Sequence, residues 1–194
     1  MGSIIELEKY AEENNIPIIQ KEGIKFIEEY ITNNNVQDIL EIGSAIGYSA
    51  IKMALVNKNI KVTTIERDEK RYNEAIKNIE KFNMHSQINI IKGDALETNI
   101  EGYYDLIFID AAKAQYIKFF EKYKKNLKSK GVIITDNLNF HGLTKDPESI
   151  KSKNLKALVK KINRYHDFLI NNEEFITNYY NIGDGITVSR RKGD

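Results

Sequence analysis

Two apolar runs of strand length, each cut off by a carboxylate, constrain this chain more than any other feature. Tyr104-Asp105-Leu106-Ile107-Phe108-Ile109 runs into Asp110, and Gly131-Val132-Ile133-Ile134-Thr135 runs into Asp136-Asn137. A strand buried on both faces is apolar throughout, so its interior has no use for Asp. At the C-terminal end of such a strand, an α/β sheet opens into the crevice where ligands bind. Asp110, Asp136 and Asn137 would therefore bring three hard oxygen donors to one rim, a set that suits Mg2+. The alternative is that both Asp residues merely cap the segments that follow.

The rest of the chain fits a sheet of that kind. Strand candidates fall at 36–42, 60–66, 88–92, 104–110, 131–136 and 186–190, with helical patterns at 46–57, 68–83, 112–126 and about 149–170. Alternation of this kind predicts βα units and a mainly parallel sheet with helices on both faces. Leu155, Leu158, Val159, Ile162, His166, Leu169 and Ile170 share the apolar stripe of the last helix. Beyond it, 174–180 and 186–190 flank the turn-rich Asn181-Ile182-Gly183-Asp184-Gly185, so the sheet should finish with an antiparallel hairpin. Ahead of the first strand, 3–14 and 20–34 read as two helices separated by Ile16-Pro17-Ile18. With 194 residues and no repeats, the expectation is one domain over 1–194, with 1–35 a helical segment packed on it.

Composition excludes several classes of chemistry. The chain has no cysteine, hence no disulfide, thiolate metal site or thiol nucleophile. No apolar run approaches a membrane span and no signal-peptide pattern opens the sequence, so no membrane role and a cytoplasmic location are expected. The net charge of +1 hides an asymmetry: residues 1–50 carry three basic against nine acidic side chains, and residues 118–164 carry thirteen basic against four acidic. A basic surface of that kind could hold RNA phosphates or be only a lysine-rich solvated face.

Three consecutive strand ends describe a ligand. The first leads into Gly43-Ser44-Ala45-Ile46-Gly47, a glycine loop opening a helix, whose free N–H groups favour an anionic end. Ala45 stands where a dinucleotide fingerprint has its middle glycine, which fits a pyrophosphate poorly and an amino-acid carboxylate better. The second ends in Glu66, roughly 20 residues beyond the loop, placed to accept from a ribose diol. The third ends in Gly93-Asp94-Ala95, where Asp94 can accept from an adenine amino group. Glu66 could instead cap the helix opening at Asp68, and Asp94 could only start a turn. Together the three describe a nucleoside with a short zwitterionic tail, S-adenosylmethionine.

The series Leu40-Glu41-Ile42-Gly43, Ile65-Glu66-Arg67, Gly93-Asp94-Ala95, Phe108-Ile109-Asp110-Ala111-Ala112-Lys113 and Asp136-Asn137 resembles the metal-dependent class I O-methyltransferases of the catechol and caffeoyl-CoA type. Within that family, Ile16-Pro17-Ile18, Ile109-Asp110-Ala111-Ala112-Lys113-Ala114-Gln115, Val159-Lys160-Lys161-Ile162 and Gly183-Asp184-Gly185-Ile186 look most similar to the bacterial tRNA 5-hydroxyuridine methyltransferases. The resemblance implies a Rossmann-like, seven-stranded methyltransferase fold and a homodimer. It implies that Gly43, Ser49, Glu66, Asp94, Ala95 and Asp110 hold the cofactor, with Ser49 meeting its carboxylate and Ile18 closing over its methionine portion. Asp110, Asp136 and Asn137 match the family's Mg2+ ligands, and Lys113 matches its general base. Ala112 stands where catechol enzymes have a bulky aromatic, which leaves room for a nucleotide on a larger polymer.

Three functions are consistent with these residues. The first is methylation of 5-hydroxyuridine at the wobble position of tRNA, the anticodon region being the partner. The second is methylation of a small catechol-like phenol, and the third is a non-catalytic nucleotide- or RNA-binding module. Intact Asp110, Asp136, Asn137 and Lys113 argue against the third. Of the histidines, His166 is expected in the core and His85 in solvent, with His141 able to touch substrate. Tyr48 and Tyr116 are expected to pack rather than to stack on a ligand.

Overall fold

The computed structural model describes residues 2–138 and 152–194. Its sheet contains seven strands: β1 (Asp38–Ile42), β2 (Lys61–Glu66), β3 (Ile88–Lys92), β4 (Tyr104–Ile109), β5 (Leu127–Thr135), β6 (Phe175–Tyr180) and β7 (Ile186–Arg191). The order across the sheet is β3-β2-β1-β4-β5-β7-β6. The first five run parallel, and β7 lies antiparallel between β5 and β6. The helices are α1 (Ile4–Glu13), α2 (Lys21–Asn33), α3 (Tyr48–Leu55), α4 (Glu69–Lys81), α5 (Tyr116–Tyr123) and α6 (Lys153–Ile170).

Alternate residues of the central strands feed two cores. Ile39, Leu106, Phe108, Val132 and Ile134 face the one that also takes Leu7 and Ala11 of α1 and Ile24, Ile27 and Ile31 of α2. Leu40, Ile42, Ile107, Ile109 and Ile133 face the other, with α5 and α6. There the aromatic rings carry the packing: Phe120 meets Phe175 at 5.0 Å and Phe168 at 5.3 Å, both edge to face. Three of the helix starts also have a local cause. Ser3, Asp68 and Ser152 accept from backbone N–H groups three residues on, as N-caps do.

Three expectations are corrected. β5 begins at Leu127, four residues earlier than the apolar run shows, because the intervening Lys128-Ser129-Lys130 is polar. Lys128 bridges Asp38 and Asp105, Lys130 takes a left-handed conformation, and the register with β4 shifts there. The segment 112–126 is not one helix: 3-10 turns at Lys113–Gln115 and Lys124–Asn126 bracket α5. On α6 the buried stripe is Val159, Ile162, Tyr165 and Leu169, so His166 is only half-buried and Ile170 is exposed. Tyr165 replaces His166 as the inward residue because its hydroxyl meets Thr135 Oγ1 at 2.8 Å. The portion of the helical pattern at 149–151 lies outside the described residues.

The aromatic cluster sets a stability expectation. Phe120→Ala should cost about 3–5 kcal/mol in urea unfolding, the usual cost of deleting a buried phenyl ring. A loss below about 1 kcal/mol would mean the cluster is not a principal support of the sheet.

Candidate active site

Each parallel strand end is tied to its neighbour by a main-chain bond. Gly93 donates to Glu66 O at 3.0 Å, Gly43 to Ile65 O at 3.0 Å, Asp110 to Ile42 O at 3.1 Å and Asp136 to Ile109 O at 3.3 Å. The C-terminal edge of the sheet is thus one stepped, hydrogen-bonded ledge carrying the polar residues that end the strands. Gly43 holds this ledge together. Its φ is +98°, and a Cβ there would lie 2.4 Å from the Asp110 carbonyl oxygen. The glycine is required by the close passage of β4, independently of any ligand.

Glu66 is held in place before anything binds. One oxygen accepts from Ala45 N–H at 2.9 Å and the other from Asp68 N–H at 2.8 Å. Asp68 caps α4 itself, so Glu66 is no helix cap, and the remaining lone pairs of its carboxylate stay available. Asp94 accepts from Leu96 N–H at 2.8 Å and does start a turn, while also lining the cavity.

Ser49 lines the cavity, yet its hydroxyl donates to the buried Glu41 carboxyl, which also accepts from Thr64 Oγ1. Burial pushes the Glu41 carboxyl up to about 7 despite those two hydrogen bonds. Asp110 and Glu66 nearby add to the rise. Nothing in the sequence marked Glu41 as unusual beyond its being an acid inside a strand.

At the other end of the ledge, Asp110 and Asp136 come together. Asn137, at φ +66°, donates its side-chain amide to both, at 3.0 Å to Asp110 and 3.1 Å to Asp136. Burial raises both carboxyls above the ordinary range, and they repel one another when ionised. The Tyr116 hydroxyl donates to Asp136 O at 3.1 Å, fixing the β5 end from below. Lys113 sits in the 3-10 turn after β4, where burial lowers its pKa against the pull of Asp110, Asp136 and Asp184.

A cavity of about 330 Å3 runs along this ledge. Ile18, Gly43, Ser49, Glu66, Asp94, Ala95, Asp110, Lys113 and Asn137 all line it. Asp136 is buried against the rim rather than on the cavity wall. Pro17 and Gln115, quoted above only within longer segments, also line it, as do Ile19, Arg71 and Phe119, which were not singled out in the sequence. Arg71 and Phe119 come from helix faces whose direction only the packing decides. Tyr48 and Tyr116 are buried as expected, Tyr48 donating to Glu8 at 2.8 Å. His85 is exposed, and His141 lies outside the described residues.

A strand-order reversal beside a glycine loop, an acidic residue ending β2 and a carboxylate rim define a class I methyltransferase fold. The O-methyltransferase family profile matches residues 4–192, and the chain belongs to that family. It is 43% identical to a Staphylococcus aureus protein provisionally named a caffeoyl-CoA O-methyltransferase, covering 98% of this chain and 93% of that one at a TM-score of 0.94. An O-methyltransferase from Bacillus cereus in complex with SAH is 25% identical over 97% of this chain and 90% of that one, with a TM-score of 0.83. Tapetum-specific methyltransferase 1 of Arabidopsis thaliana is 30% identical over 81% of this chain and 70% of its own length.

Glu41 makes the stability pH-dependent in a defined sense. In the folded protein it keeps its proton up to about 7, whereas in the unfolded chain it loses it near 4.5. Its stabilising contribution is complete below the lower value and is lost as pH rises through the upper one. Between those pH values the parent protein should therefore lose up to about 3 kcal/mol relative to Glu41→Gln in urea titrations without ligand. Parallel profiles for the two proteins would show that Glu41 titrates normally.

Proposed function

We propose that the protein transfers the methyl group of S-adenosylmethionine to a phenolic oxygen of a small molecule carrying a second oxygen on the adjacent carbon. The observation that carries this reading is the pairing of Asp110 and Asp136 through Asn137 on the same ledge as the pre-held Glu66 carboxylate. The relatives include a caffeoyl-CoA O-methyltransferase of Populus kitakamiensis, 27% identical, and a catechol O-methyltransferase of Niastella koreensis, 33% identical over a shorter stretch. Those names favour a small phenol over tRNA.

In this reading Glu66 takes the ribose diol and Asp94 and Ala95 the adenine, with Ile18 covering the methionine portion, and Ser49 meets the carboxylate once its hydroxyl leaves Glu41. Asp110, Asp136 and Asn137 would hold Mg2+ once the Asn137 amide, which here donates its Nδ2 to both carboxylates, turns to present its Oδ1. Two crowded carboxylates in a low-dielectric site with a carboxamide between them are poorly balanced without a cation, and a three-donor set leaves positions for water and substrate. Among the described residues no three acidic or histidine side chains group as a metal site, so the carboxamide is a necessary member of the set. Bound there, the ion would act as a Lewis acid that favours the phenolate. The phenol proton passes to the Lys113 amine, whose lowered pKa suits it to accept. Bound S-adenosylmethionine would supply the methyl group, which the substrate oxygen would take in line as the C–S bond breaks and a neutral thioether leaves.

Methylation of tRNA 5-hydroxyuridine is the second reading, favoured by the exposed Lys153, Lys160, Lys161 and Arg164 on α6. The charge excess over 118–164 overstates that surface. Lys122 donates to Leu96 O, Lys124 pairs with Glu121 and Glu174, and Lys128 pairs with Asp38 and Asp105. A homodimer belongs to the same set of expectations, with Ile176, Tyr179 and Tyr180 of the edge strand β6 as exposed apolar surface. Work in the cytoplasm is part of this proposal too. No described helix is long and apolar enough to cross a membrane.

Labelled S-adenosylmethionine with Mg2+ and either a catechol panel or bulk tRNA separates the readings. Label should enter a catechol and be lost on chelation, and Asp136→Ala should be inactive while still binding S-adenosylhomocysteine by calorimetry. Full turnover of the chelated enzyme would remove the metal from the scheme. Label entering tRNA alone, with an affinity that falls steeply as salt rises, would establish the second reading instead.

Glu66→Ala should weaken cofactor binding by roughly 1–3 kcal/mol, the usual loss when a charged hydrogen-bond partner is removed. The maximal rate at saturating cofactor should fall less, since the carboxylate holds the ribose and not the methyl group. An unchanged affinity would place the ribose elsewhere.

A further inference from the structure

Glu41 is a fully buried acid one hydrogen bond away from the cavity wall. It lies on β1, on the same face as Ile39, between Thr64 of β2 and Phe108 of β4. Its two oxygens are used separately: the Ser49 hydroxyl of α3 donates to one and the Thr64 hydroxyl to the other. Its charged neighbours at the strand ends, Glu66 and Asp110, are acidic and favour the protonated form. On α3 the basic residue, Lys52, is paired with Glu28 at 3.0 Å, and Tyr48 gives its hydroxyl to Glu8. The cations lining the cavity include Arg67, which pairs with Asp94 at 3.8 Å, Arg71 and Lys113.

A hydroxyl has one proton to give. An ionised Glu41 can only accept, so it holds the protons of both Ser49 and Thr64, and Ser49 turns nothing but lone pairs to the cavity. A protonated Glu41 can donate to one of the two hydroxyls, which then releases its own proton. Thr64 is fully buried and away from the cavity, whereas Ser49 lines it, so the proton free to serve a ligand is the one on Ser49. We propose that Glu41 is a positioning residue that couples cofactor binding to proton uptake: protonated, it donates to Ser49 Oγ and leaves the Ser49 hydroxyl to donate to the cofactor's carboxylate. The proton comes from solvent as that carboxylate arrives. This role rests on the reading of the cavity as the S-adenosylmethionine site. Burial pushes the Glu41 carboxyl up to about 7, so its proton is gained or lost under ordinary conditions. A second carboxylate beside Ser49 favours the neutral form further. Affinity is therefore complete below about 7 and is lost as pH rises through it.

Calorimetry of S-adenosylhomocysteine binding tests this without turnover, with Mg2+ present throughout. At about pH 8, titrations in buffers of different ionisation enthalpy should show uptake on the order of 0.5 to 1 proton per ligand. Affinity should fall about tenfold between about pH 6 and about pH 8. Methylthioadenosine, which keeps the nucleoside and thioether but lacks the amine and carboxylate, should show neither effect. Glu41→Gln, whose amide can donate to Ser49 at any pH, should keep the parent's low-pH affinity across the range. Ser49→Ala should bind more weakly at low pH and lose most of the pH dependence, which separates Glu41 from Asp110 and Asp136. Binding without proton uptake, equal uptake with methylthioadenosine, or parallel pH profiles for the parent and Glu41→Gln would each overturn the proposal. So would an affinity that rises with pH, since that would set the cofactor's amino group, a donor, against Ser49. The parent protein with the two ligands decides the matter even where a variant does not fold. Failure of S-adenosylhomocysteine to bind at any pH would instead remove the cofactor reading, and this proposal with it.

Discussion

The bond from Asn137 to both Asp110 and Asp136 is the interaction on which the site depends. The buried Asp136 and the half-buried Asp110, at the ends of adjacent strands, repel one another, and ionising both is costly. The amide of Asn137 offsets part of that cost by giving each carboxylate a donor, and its own left-handed backbone turns the chain away from the sheet just there. Everything else on the ledge is arranged around that pair. Gly43, having no Cβ, leaves room for the Asp110 carbonyl, Tyr116 donates to the Asp136 carbonyl from below, and the Lys113 side chain lies within electrostatic reach of both carboxyls.

The same economy explains the other end of the cavity. Glu66 and Glu41 are both buried acids, yet they are treated oppositely. Glu66 receives two backbone N–H groups that orient it toward the cavity. Glu41 receives two side-chain hydroxyls, and its carboxyl is pushed up to about 7.

The sheet was legible in the sequence because buried parallel strands are written as apolar runs, and their ends as abrupt polar residues. Asp110, Asp136, Asn137 and Glu66 stand out for that reason, and all four fall where the strands stop. Legibility failed where polar residues lie inside an element, as in Lys128-Ser129-Lys130 at the start of β5. It failed again where neighbouring aromatic and histidine side chains compete for one helix face, as Tyr165 and His166 do. The hydroxyl of Ser49 was expected at a cofactor, and its donation to Glu41 depends on side chains eight residues apart meeting across a strand and a helix.

The insertion of β7 between β5 and β6 has a consequence for how the protein is made. As the chain leaves the ribosome, β1 to β5 and the residues of the rim appear well before β7 does. Until β7 arrives, β5 presents an open, apolar sheet edge, the kind of surface that pairs with other chains. Closing that edge brings together strands separated by a long stretch of sequence, a step that is slow by nature. A nascent or truncated chain lacking β7 would therefore hold Asp110, Asp136 and Asn137 in sequence yet have no finished edge to set them on. Chaperone dependence during synthesis should be concentrated in that interval, and the first functional molecule appears only after the hairpin closes.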